Sequence, residues 1–319
     1  MLKYAGAFLA SGLLALVLLA LYGPSSKHKQ APALSSKPAT TPIATQVAAG
    51  TPIANIPKTT GAIDLFSWAR VALQGGNSPS ATTPTPMATA TTNPRVEAEQ
   101  HYKLGYAFYA QDNNFDEAIK ELDIAIKLNP NHLNAIYLRG NAYSVTRQPE
   151  KALADFNKAL LINPDYAEAY ASRGFVYRFY MGDYDRAIAD YKKSISLAPT
   201  YGAAYSELGL AYYDMGDYDQ AIIAFDKAIQ VSPYYSAAYY NRGVTYSDMD
   251  ESEKAIKDFT RTIELNPRNW RAYDSRAWEY EYIEDTGAAI ADFKMVIDMS
   301  NDPDAVQRAR EQILALQGT

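Results

Sequence analysis

The chain has 319 residues, no cysteine and 26 tyrosines. The missing cysteine excludes disulfides, thiolate metal sites and a cysteine nucleophile, and the three histidines, His28, His101 and His132, are too scattered to suggest a metal centre. The net charge of −6 is unevenly spread: residues 1–96 carry 7 Lys/Arg and 1 Asp/Glu, residues 97–319 carry 23 and 35, and so acidic a folded part argues against nucleic-acid binding.

After a three-residue flank, residues 4–22 (YAGAFLASGLLALVLLALY) contain no charge. At roughly 1.5 Å per residue such a run is about long enough to cross a hydrocarbon core. The competing reading is a cleaved export signal. Small residues at cleavage spacing are poorly placed, because Tyr22, Gly23 and Pro24 follow the run and Ala31-Pro32-Ala33 lies beyond two lysines; an uncleaved single-pass anchor is therefore preferred. Orientation pulls two ways. Lys3 precedes the run and Lys27, Lys29 and Lys37 follow it, which favours a cytoplasmic C-terminal part. The very short segment before the run favours export, and the repeats are placed on the extracytoplasmic side on that ground.

Residues 23–96 are rich in Ala, Thr, Pro and Ser and cannot bury enough apolar surface to offset ordering. They read as a disordered tether; about 70 flexible residues span roughly 45–50 Å. One island interrupts it, GAIDLFSWARVALQGG at 61–76, where Ile63, Phe66, Ala69 and Leu73 could share a helical face. It reads either as a transient helix or as a segment that docks on a membrane or on the protein's own repeats.

From residue 97 the chain repeats itself. Prolines 130, 164, 199, 233 and 267 fall 34, 35, 34 and 34 residues apart. Gly or Ala recurs at position 8 of each repeat (Gly105, Gly140, Gly174, Gly209, Gly243, Ala277) and an aromatic at position 11 (Phe108, Tyr143, Tyr177, Tyr212, Tyr246, Tyr280). Ala recurs at position 20 (Ala118, Ala152, Ala187, Ala221, Ala255, Ala289), followed four residues later by Leu122, Phe156, Tyr191, Phe225, Phe259 or Phe293. Small residues let two antiparallel helices approach, large rings fill the gap, and proline ends the second helix. Repeats one and three carry one extra residue between their helices. The sixth lacks its closing proline, and a helix at 303–317, with Val306, Ala309, Ile313 and Leu316 on one side, reads as a cap.

This pattern resembles the tetratricopeptide repeat family over residues 97–302. The resemblance implies an all-α fold: a right-handed α-α superhelical solenoid of six helical hairpins closed by the capping helix 303–319. Within it, position 7 is Arg in four repeats (Arg139, Arg173, Arg242, Arg276), and position 23 is Asp in the same four (Asp155, Asp190, Asp258, Asp292). The two leucine repeats have Leu104 with Glu121 and Leu208 with Ala224. Four Arg–Asp pairs are therefore expected between the two helices of their own hairpins, since a half-buried arginine needs a carboxylate.

No Walker loop, HExxH, GxSxG or histidine pair at ligand spacing occurs, so no catalytic residue, metal or cofactor is expected and the chain does not read as an enzyme. The resemblance instead points to the concave face. Carried over, its lining comprises Tyr102, Lys103, Tyr106, Tyr109, Asn134, Tyr137, Asn141, Phe175, Arg178, Glu207, Tyr213, Tyr240, Asn241, Asp274, Trp278 and Tyr282, with Phe179, Asp214, Asp248, Arg271 and Glu281 beside them. Some family members hold a peptide carboxylate in a Lys/Asn/Arg clamp; Lys103, Arg178 and Arg271 fall in separate repeats, so that clamp is not assembled. The expected function is a membrane-tethered scaffold that binds a partner protein or peptide, through a neutral or basic extended segment, and no nucleic acid. A cell-surface glycan-binding module and a regulatory subunit of a membrane enzyme complex are the alternatives.

Overall fold

A computed structural model describes residues 93–318; the apolar run at 4–22, nearly all of the tether and the island at 61–76 lie outside them. The described chain is all α and divides into two compact units, 93–164 and 165–318. In the first, α1 (Pro94–Ala110) pairs with α2 (Phe115–Leu128), and α3 (Leu133–Val145) with α4 (Pro149–Ile162). In the second, α5 (Ala167–Val176, prolonged by a π-turn at Tyr177–Met181) pairs with α6 (Tyr184–Leu197) and α7 (Gly202–Met215) with α8 (Tyr218–Val231). Then come α9 (Ser236–Asp248) with α10 (Ser252–Leu265), α11 (Trp270–Tyr282) with α12 (Thr286–Met299), and α13 (Pro303–Gln317). Among the described residues, six helical hairpins and a closing helix follow in the order the repeats led one to expect.

Local chemistry sets the helix ends. Asn93 accepts a bond from the Arg95 amide and Pro94 supplies the first helical φ, so α1 takes in the last residues assigned to the tether. Asn114, Asp183, Asp217 and Asp285 cap α2, α6, α8 and α12 by accepting from an amide three residues on. Before each closing proline the backbone is extended, as at Asn129 (φ −136°) and Asn266 (φ −140°), because the proline ring bars the α region there.

The extra residues have a physical signature. In repeats two and four the position-11 carbonyl accepts from an amide five residues on, Tyr143 from Gln148 and Tyr212 from Asp217. In repeats one and three it accepts from six residues on, Phe108 from Asn114 and Tyr177 from Asp183. Repeat three absorbs the surplus in its π-turn, which ends on left-handed Gly182.

Packing explains the small residues. A Cβ on Gly209 would stand 2.6 Å from the Phe225 ring, so position 8 sets how close the two helices come. Ala187 and Tyr191 of repeat three close over Leu208 and Ala211 of repeat four. At the chain's far end Ala305 and Ala309 of α13 take the corresponding place over Ala289, Phe293 and Val296. Ala305, rather than Val306, shares the buried side of α13, while Ile313 and Leu316 pack at its edge.

Candidate functional site

The four arginines at position 7 make one recurring arrangement. Arg139 donates from Nε and Nη2 to the two Asp155 oxygens at 2.8 and 2.7 Å. Arg173 does so to Asp190 (2.8 and 2.7 Å), Arg242 to Asp258 (2.7 and 2.7 Å) and Arg276 to Asp292 (2.7 and 2.9 Å). The planar fork matches a carboxylate, and all four aspartates are buried. Burial alone would weaken the Arg139 and Arg242 cations, but the aspartate bonds outweigh it and raise both. Burial pushes the Asp258 carboxyl up, and Arg242 draws it back.

The repeat comparison did not disclose a third arm. Arg139 also donates from Nη1 to Asp123 at 2.6 Å, Arg242 to Asp226, and Arg276 to Thr260 at 2.9 Å. Each of these acceptors lies on the second helix of the preceding repeat, so the arginine joins three helices across two repeats. Tyrosines complete the setting: Tyr273 and Tyr280 flank Arg276 at 5.7 and 5.6 Å, and Tyr239 and Tyr246 flank Arg242 at 5.8 and 5.9 Å. With Tyr143 on Arg139 and Tyr170 on Arg173, six of the 26 tyrosines serve these guanidinium contacts. In repeat four Leu208 and Ala224 replace the pair with apolar contact, and in repeat one Glu121 bonds His101 Nδ1 at 2.6 Å.

On the face assigned to a groove, nine of the sixteen residues are closed off: Tyr109, Tyr137, Asn141, Phe175, Arg178, Glu207, Tyr213, Tyr240 and Asn241 are buried. Tyr102, Tyr106, Asp274 and Trp278 are half-buried, and Lys103, Asn134 and Tyr282 are exposed. The closure has a cause, which is side chains reaching from one repeat to the next. Arg178, on the π-turn, donates to Asp214 at 2.8 Å and Glu207 at 3.2 Å, and Tyr191 donates to the same Glu207 oxygen at 3.3 Å. Tyr213 donates to Asp248, Ser247 to Glu279 at 2.5 Å, and Gln312 of the cap to Glu281 at 2.7 Å. Burial pushes the Glu207 and Asp214 carboxyls up, and the Arg178 cation pulls them down. Arg178, expected as a groove cation, is thus neutralised inside the stack.

What stays within reach of solvent clusters at two places. In repeat one Tyr102 and Tyr106 lie 6.5 Å apart, with Lys103 open beside them, and burial followed by Tyr106 and Glu99 pushes the Tyr102 phenol up to about 12. In repeat six Trp278 bonds Asp274, whose carboxyl burial pushes up to about 6 against the pull of Arg308, and Tyr282 is exposed further along the same helix. The Asn141 and Asn241 amides are buried with no hydrogen-bond partner among the described residues, each leaving both a donor and an acceptor unused. Among the described residues no group of His, Cys, Asp and Glu is placed to hold a metal, and no helix is long and apolar enough to cross a membrane.

This geometry defines a helical-repeat scaffold whose side-chain chemistry stitches hairpins together and leaves aromatic and acidic tips on the first helices. Tetratricopeptide repeat models match residues 101–132, 134–166, 202–235 and 236–269, and a further TPR repeat model matches 178–216. The chain belongs to the tetratricopeptide repeat family. It is 29% identical over 89 residues to Hsp70-Hsp90 organizing protein 3 of Arabidopsis thaliana, covering 28% of this chain and 16% of that one. It is 40% identical over 63 residues to the Arabidopsis thaliana TPR repeat-containing thioredoxin TDX, covering 20% and 17%. The chain therefore spans less than a fifth of the curated relatives it matches. The type IV pilus biogenesis factor PilW shares the fold, with a TM-score of 0.61 at 17% identity, covering 66% of this chain and 97% of its own.

Proposed function

We propose that the protein is a membrane-tethered scaffold that holds a partner protein or peptide on its first-helix face. The observation that carries this reading is the cluster in repeat six. Trp278, half-buried and bonded to Asp274, and the exposed Tyr282 keep aromatic area within reach of solvent. Aromatic residues of this kind combine contact area with hydrogen-bonding tips and dominate recognition surfaces. The net acidic repeats favour a neutral or basic segment.

The tether follows from the sequence. The charge-free run at 4–22 acts as a single-pass anchor and the Ala/Thr/Pro-rich stretch as a leash, with the repeats on the extracytoplasmic side. Binding, and not catalysis, is the role assigned to the repeats.

The test is affinity capture with the full chain from native membranes, comparing wild type with Trp278→Ala plus Tyr282→Ala. A recurrent protein partner that the double variant loses supports the scaffold. A partner retained undiminished places binding elsewhere, and retention on polysaccharide with no protein partner replaces the proposal with a glycan-binding module. Protease accessibility on intact cells checks the side of the membrane.

A further inference from the structure

Each of the six repeats turns between its helices through one residue of left-handed φ: Asn113, Arg147, Gly182, Gly216, Asp250 and Glu284. That residue marks the same place in every repeat, so the residues just before it can be compared directly. In the unit 93–164 they are polar, Asp112 and Thr146. In the unit 165–318 they are Met181, Met215, Met249 and Ile283. Met181, Met215 and Ile283 are 41%, 50% and 45% exposed, and Met249 is half-buried, so none of the four belongs to the core. The turns are open as well, since a Cβ on Gly182 or Gly216 would meet nothing within 4 Å.

The four turns of this unit stand side by side. Arg178 bonds Asp214 at 2.8 Å, Tyr213 bonds Asp248, and Ser247 bonds Glu279 at 2.5 Å, which ties the last turns of successive first helices together close to each apolar residue. Scattered exposed hydrophobics are ordinary, but equivalent ones on adjoining turns make a row, and methionine adapts to irregular partners. Charge says what would cover it. The stretches 181–185, 215–219, 249–253 and 283–287 hold nine carboxylates and no Lys or Arg. Asp183, Asp217 and Asp285 serve as helix caps, and Asp183 and Glu251 pair with Arg186 and Lys254. Asp185, Asp219, Glu253 and Glu284 add exposed negative charge. An apolar row flanked in this way repels a second copy of itself and an anionic lipid surface, and it complements cations. We infer that this edge is a further interaction surface that takes a basic amphipathic segment of a partner protein. Its apolar side chains lie on the methionine row and its Lys or Arg among the carboxylates. The inference does not rest on the first-helix face and stands or falls apart from it.

The test uses the full chain in zwitterionic nanodiscs, with empty nanodiscs as the blank. The probe is a fluorescent amphipathic peptide of Leu and Lys, followed by anisotropy at physiological ionic strength. Its comparisons are a Leu/Glu peptide of the same pattern and a scrambled Leu/Lys peptide with no apolar face. The Leu/Lys peptide should bind and the other two should not. Met181→Ser plus Met215→Ser plus Ile283→Ser should weaken binding about tenfold. Ile223→Ser plus Met295→Ser, which removes exposed apolar side chains from second helices instead, should leave it unchanged. Asp219→Lys plus Glu253→Lys gives an independent reading through charge and should weaken binding by a similar factor. Wild-type affinity in both edge variants overturns the proposal. So does equal binding of the scrambled peptide, which reduces the effect to bulk charge. Self-association of the chain that the methionine variant abolishes would make a second copy the occupant and overturn it too.

Discussion

At the scale of single residues, the arginine clamps turn a surface charge into a structural bond. Asp258 is 3% exposed and has two short bonds to Arg242, so removing the arginine strands a buried carboxylate. Arg242→Met should cost about 3–5 kcal/mol, and Arg242→Lys should recover little, because an ammonium cannot form the two-pronged contact. Chemical denaturation of the two single variants and the Arg242→Met plus Asp258→Leu double variant measures the coupling; a value near zero would show that the pair is incidental. The link between position 7 and position 23 is legible in the sequence, because aspartate occurs only where arginine does. The third arm is not, since its acceptor is Asp in two repeats and Thr in another, and its partner sits one repeat away. Asp274 supplies a second test. Its folded carboxyl is pushed up to about 6, above the ordinary carboxylate value, so the folded state holds a proton that the unfolded chain has released. Stability should therefore rise as pH falls from 7 towards 4, by about 2–3 kcal/mol at roughly 1.4 kcal/mol per pKa unit, and Asp274→Asn should flatten that slope in denaturation at several pH values.

At the scale of helices, the repeat pattern made hairpins, closing prolines and small-residue contacts readable before any coordinates, because each has one local cause. The face called a groove was less legible. Family positions mark which side of α5 and α7 a residue occupies, but not whether a neighbour's side chain reaches it. Arg178, Glu207 and Asp214 looked like separate ligand groups and instead bond one another across the α5–α7 contact. The π-turn carries Arg178, so the extra residue between α5 and α6 and the buried cation belong to one local departure. Arg178→Met should lower stability by about 3 kcal/mol or more at pH 7, as two buried carboxylates lose their cation. Both carboxyls would then rise further, so part of that loss should return at pH 5; an equal deficit at both pH values in urea melts would show that the network carries no electrostatic weight.

At the scale of the whole chain, the proposed function rests on what the bonding within the repeats leaves open. Of the aromatics assigned to the groove, those left within reach of solvent are Tyr102 and Tyr106 in repeat one and Trp278 and Tyr282 in repeat six. The cap is required for the same reason: deleting 303–319 would uncover Ala289, Phe293 and Val296 and free Glu281. The shortened chain should melt lower and aggregate on warming, as followed by circular dichroism and light scattering. The three-armed arginine bears on how such chains grow. A cut at the prolines, the boundary that the sequence period suggests, would separate Arg242 from Asp226 and Arg276 from Thr260. The heritable module is therefore the junction between hairpins, and a grafted or duplicated repeat would keep all of its clamp only if the second helix of its former neighbour travelled with it.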